Sequence, residues 1–98
     1  MTINKTVEGG KLIIAPEGRL DTMTSPQLDA ELDNSIKGVS ELVFDFAGLD
    51  YISSAGLRVL LKAQKVMNRQ GSMVIRNVSD EIRDIFDVTG FLDIMTIE

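Results

Sequence analysis

Cysteine, histidine and tryptophan are all absent from this 98-residue chain. Without Cys there are no disulfides, no thiolate metal sites and no thiol nucleophile. Without His, Ser-His-Asp catalysis, imidazole ligation of metals and the usual general base near neutral pH are excluded. Aromatic residues make up 5% of the chain, too few for a platform on which single-stranded nucleic acid would stack. Cations are in the minority: Lys and Arg total 10 against 15 Asp and Glu, a net charge of −5. That balance argues against gripping a nucleic acid backbone or an anionic membrane surface, and it suits a basic protein partner. No apolar run approaches the roughly 20 residues of a membrane helix. Lys5 and Glu8 fall where a secretory signal would need its apolar region. The expectation is a cytoplasmic protein.

What is present is the composition of an ordinary globular domain, 44% hydrophobic and 26% charged. At this length the chain is expected to form one domain over residues 1–98, with no linker and no repeat.

The apolar periodicity and the punctuation by Gly and Pro predict a β-β-α-β-α-β-α-β order. Thr2 to Val7 reads as a first strand, Gly9-Gly10 as a hairpin turn, and Leu12 to Ala15 as the start of a second strand. Pro16 lacks a ladder donor, which points to an edge or a bulge before the strand resumes at Gly18-Arg19-Leu20. Thr24-Ser25-Pro26-Gln27 has the spacing of a capping box. Leu28, Leu32 and Ile36 then form an apolar stripe that stops before Gly38. Glu41 to Phe46 reads as a buried, central parallel strand. Residues Ala47 to Gly56 are expected to be a loop leading into a second helix. Leu57, Leu60, Leu61 and Gln64 mark that helix's inner face, and Gly71 ends it. Met73-Val74-Ile75 is a short strand. Ser79 caps a third helix built on Ile82, Ile85 and Phe86, and Ile94 to Ile97 is a last short strand. Met23, Met95 and Phe91 are assigned to the core, with a small contact patch as the alternative. Alternating strands and helices imply an α/β domain with a mixed, mostly parallel sheet. The Arg19–Thr24 and Gly48–Ser54 loops should open at the same end, where α/β sheets meet ligands and partners.

The chemistry available at that end is narrow. Ser53 and Ser54 have no histidine base, no Gly-x-Ser-x-Gly elbow and no Ser-x-x-Lys. No glycine-rich phosphate loop occurs anywhere in the chain. Asp21, Asp45 and Asp50 are conceivable as a carboxylate site for Mg²⁺ or Ca²⁺. Turn or cap roles account for Asp21 and Asp50 more simply. The Ser pair has the chemistry of a helix N-cap. A hydroxyl there is also a suitable covalent switch, because a phosphate adds charge where the helix dipole tolerates it, with Arg58 four residues on.

The segment Asp50-Tyr51-Ile52-Ser53-Ser54-Ala55-Gly56-Leu57-Arg58-Val59-Leu60-Leu61 resembles the signature of the anti-sigma-factor antagonists, the STAS domain family. Gly18-Arg19-Leu20-Asp21 and Leu42-Val43-Phe44-Asp45-Phe46 add to the likeness, which spans essentially the whole chain. The resemblance implies a non-enzymatic partner switch without cofactor or metal. Such a protein binds an anti-sigma factor that is also a serine kinase, is released when phosphorylated, and is restored by a metal-dependent serine phosphatase. Aligned on Gly56-Leu57, the acceptor is Ser54. Ser53 falls where several members carry Asp and is the second candidate. Arg58 stands where some members have Gly. The implied partner surface comprises Asp21, Thr22, Asp50, Tyr51, Ser53, Ser54, Ala55, Gly56 and Arg58. Nucleic acid and membrane are not among the implied partners. The alternative function on the same fold is an accessory or sensory module in lipid transport or nucleotide binding.

Overall fold

The computed structural model describes all residues, 1–98. Strands β1 (Thr2–Glu8) and β2 (Lys11–Leu20) form the opening antiparallel hairpin, turned by Gly9 at φ +61°. Helix α1 (Ser25–Ser35) leads to β3 (Glu41–Asp45) and β4 (Leu49–Ile52). Helix α2 (Ser54–Gln70) is followed by β5 (Ser72–Arg76), α3 (Asp80–Val88), a 3-10 turn at Phe91–Asp93 and β6 (Thr96–Ile97). The sheet runs β1-β2-β3-β5-β6, with β4 beside β2. Every pairing except the hairpin is parallel. The expected α/β class and mixed sheet are therefore observed.

The core explains the order. Leu42, Val43 and Phe44 are buried in succession, as a strand covered on both faces requires. Leu28 and Leu32 of α1, and Leu57, Leu60, Ala63 and Met67 of α2, complete it. Ser79 caps α3 as expected, accepting from the Ile82 amide at 3.3 Å.

Four local expectations change. Residues 49–52, expected as loop, form β4 parallel to the far end of β2. Pro16 lies neither on an edge strand nor at the bulge. It sits between Ile14, the last β2 residue paired with β3, and Gly18, the first paired with β4. On that side of β2 no ladder is interrupted. Thr24 is the α1 N-cap residue, but its side chain caps nothing. Its hydroxyl donates to the Arg19 carbonyl at 2.7 Å and accepts from the Asp21 amide at 2.9 Å. Met23, assigned to the core, is 87% exposed, whereas Met95 is buried and Phe91 half-buried.

Candidate functional site

The parallel pairing of β2 with β4 builds the site. Leu20 stands opposite Ile52, so both strands end together. The Ser53 amide donates to the Leu20 carbonyl at 2.8 Å. The turn after β2 and the start of α2 are thereby fixed side by side, as expected for the two loops.

Arg19 pairs with Tyr51 and Gly18 with Leu49, so Asp50 is an extra residue without a partner. This bulge turns both Asp50 and Tyr51 to solvent while Leu49 and Ile52 stay buried. The Arg19 guanidinium lies over the Tyr51 ring, 4.2 Å from its centroid, and favours the ring's place beside it.

Asp21 organises the neighbouring turn. Its Oδ1 accepts from the Met23 and Thr24 amides at 3.0 and 3.1 Å. The Thr24 amide, aided by the Met23 amide and the Arg19 charge, holds the Asp21 carboxyl below its ordinary value. With that carboxylate turned onto its own loop, Thr22 and Met23 project into solvent. Asp45 sits apart, at the end of β3. It accepts from Asn77 Nδ2 at 3.0 Å and from the Ala47 amide at 3.1 Å. The Asn77 bond, with help from the Ala47 amide and Arg76, lowers its pKa. Asp21, Asp45 and Asp50 do not form a group of three able to hold a metal ion.

The two serines have different surroundings. Ser53 is extended, with φ −98° and ψ 175°, and its Oγ accepts from the Gly56 amide at 3.4 Å. It is the half-buried N-cap of α2. Ser54 is the first helical residue; it is exposed, and its hydroxyl has no hydrogen-bond partner in the protein. Ala55 is half-buried and Arg58 exposed. Gly56 corrects the expected partner surface. It is buried, and a Cβ there would come within 2.8 Å of both Ile52 Cγ1 and Leu20 Cγ. It supports the site from below rather than forming part of its face. Arg19, absent from the expected surface, and Met23, for which a contact patch is the alternative to the core, both lie at that face. The Asp-x-x-Thr spacing from Asp21 to Thr24 is the signal that an outward-pointing turn lies between them.

The model of the STAS domain matches residues 2–98. The chain belongs to the STAS domain family. The STAS chain is 40% identical over 90 residues to BtrV of Bordetella bronchiseptica, a candidate anti-sigma factor antagonist. That match covers 90% of this chain and 78% of BtrV. It is 30% identical over 91 residues to the anti-sigma F factor antagonist of Paenibacillus polymyxa, again covering 90% and 78%. Among solved structures it is similar to the anti-sigma factor antagonist SpoIIAA in its unphosphorylated form. There the TM-score is 0.78 and the identity 19%, over 99% of this chain and 87% of that one. The phosphorylated form of SpoIIAA, the Bacillus cell fate determinant, superposes with a TM-score of 0.77 at 21% identity, over 99% and 91%. At those identities SpoIIAA shows the fold. By name these relatives are anti-sigma factor antagonists, regulatory binding proteins rather than enzymes. No helix of this STAS chain is long and apolar enough to cross a membrane.

Proposed function

We propose that this STAS domain is an anti-sigma-factor antagonist whose binding surface is switched by phosphorylation of Ser54. The names of its relatives support antagonism. The observation that carries the switch is the division of labour between the two serines. Ser53 caps α2, which leaves the exposed Ser54 hydroxyl free for a kinase. A phosphate at this position adds about −1.5 to −2 charges. The free amides and dipole of the α2 N-terminus accommodate that charge, so the fold survives while the surface changes. Thr22, Met23, Asp50 and Tyr51 lie on the same end of the sheet and would meet the same partner. In this reading the partner is a cytoplasmic anti-sigma factor that is itself a serine kinase, with a metal-dependent serine phosphatase to reset the switch. ATP belongs to the kinase.

The test is to incubate the purified chain with host cytosol and ATP and to map the modified residue by tandem mass spectrometry. The expected result is phosphate on Ser54, retained in Ser53→Ala and abolished in Ser54→Ala. Modification confined to Ser53, or persisting undiminished in Ser54→Ala, would overturn the assignment.

A further inference from the structure

Helix α2 carries Arg58, Lys62, Lys65 and Arg69 and not one acidic residue, in a chain whose net charge is −5. The spacings of four, three and four residues stack all four cations on one face. They run about 16 Å along the helix. All four are exposed. Lys62 alone is neutralised, by Asp29 and Asp33 of α1 at 2.9 and 3.0 Å. Arg58, Lys65 and Arg69 have no carboxylate within 4.0 Å. Like charges three and four residues apart repel along a helix, so this array works against α2 unless something neutralises it. The face is open to solvent: the space beside it, about 780 Å³, is lined by α2 residues alone, and the half-buried side chains of Leu61 and Val66 give it apolar flanks.

We infer that the α2 face is a docking site for an acidic amphipathic helix of a partner protein. Charge complementarity selects the occupant. Three free cations over three helical turns match carboxylates at i, i+7 and i+11 of a facing helix, and Leu61 and Val66 match apolar residues beside them. An extended polyphosphate fits poorly. It would leave the apolar flanks of Leu61 and Val66 uncovered, which an amphipathic helix would bury. The site shares Arg58 with the expected Ser54 surface but otherwise lies along the helix flank and needs no modification.

The test uses a synthetic helical peptide of about four turns with Glu at i, i+7 and i+11 and Leu on the flanking positions. Its controls are a scrambled peptide of the same composition, a short DNA duplex and phosphatidylserine vesicles. Amide shifts of the full ¹⁵N-labelled chain are followed during titration. The inference predicts shifts confined to residues 58–69 and binding about fivefold tighter than the scrambled peptide. It also predicts affinity falling steeply between ~50 and ~300 mM NaCl. The Lys65→Glu/Arg69→Glu variant should lose about tenfold in affinity. The Lys65→Gln/Arg69→Gln variant should bind weakly yet melt no lower than the original chain, since it removes repulsion. Equal binding of the scrambled peptide, unchanged binding by the charge-reversed variant, or preference for DNA or vesicles would each overturn it.

Discussion

Ser53 and Ser54 share one chemistry and differ by one step along the chain. The difference in what they do is set by the backbone. Ser53 is extended and returns its Oγ to the Gly56 amide, while Ser54 has already entered the helix and faces water. Their substitutions should therefore separate stability from signalling. Ser53→Ala removes a cap and should cost about 1 kcal/mol. Ser54→Ala removes an unbonded surface hydroxyl and should change stability by less than about 0.5 kcal/mol. Urea denaturation of the two variants measures both. The sequence shows two good capping residues in a row and cannot rank them, because the ranking depends on which one keeps the extended backbone. Thr24 teaches the same lesson in reverse. Its spacing to Gln27 is that of a capping box, but Asp21 Oδ1 accepts from the Met23 and Thr24 amides and the Thr24 hydroxyl turns back to the Arg19 carbonyl instead. Two local patterns competed, and the Asx turn won.

At the scale of elements, most of the fold is legible. The apolar run of β3, the stripe on α1 and the Ser79 cap of α3 each carry a strong local signal. The strand β4 does not. It has four residues, and the bulge at Asp50 makes them buried, exposed, exposed, buried, which breaks the period of two. Only pairing with β2 makes it a strand. That pairing is what brings the Asp21 turn to Ser53, so the loops were placeable from sequence but their registration was not. Gly56 holds the registration. Replacing it by Ala gains close to 1 kcal/mol of helix propensity. It also drives a methyl group to within 2.8 Å of Ile52 and Leu20, both fully packed. Overpacking of this kind costs typically 1–3 kcal/mol, so the steric cost wins. Gly56→Ala is expected to lower the melting temperature and to weaken partner binding through displacement of the α2 start. An unchanged melting temperature would mean that α2 is not seated on these two side chains.

Over the whole molecule, charge and shape divide the surface into distinct regions. The strand ends present Ser54 among Thr22, Met23, Asp50 and Tyr51, a mixture of acidic, aromatic and apolar groups of the kind that seats a protein partner. The flank of α2 concentrates four of the ten cations of the chain. The remaining surface holds all 15 acidic residues. Composition alone shows the net charge but not this separation, which arises when α2 stacks residues three and four apart on one face. The long-range field of an acidic chain steers it toward a basic surface, and added charge at Ser54 then acts where the partner sits. The most direct test of that account is affinity capture from host cytosol on immobilised original chain, Ser54→Ala and Ser54→Asp, with an ATP-binding protein as the readout. The account predicts the same ATP-binding protein on the original chain and on Ser54→Ala, with recovery on Ser54→Asp reduced by about tenfold. Equal recovery on all three would contradict it.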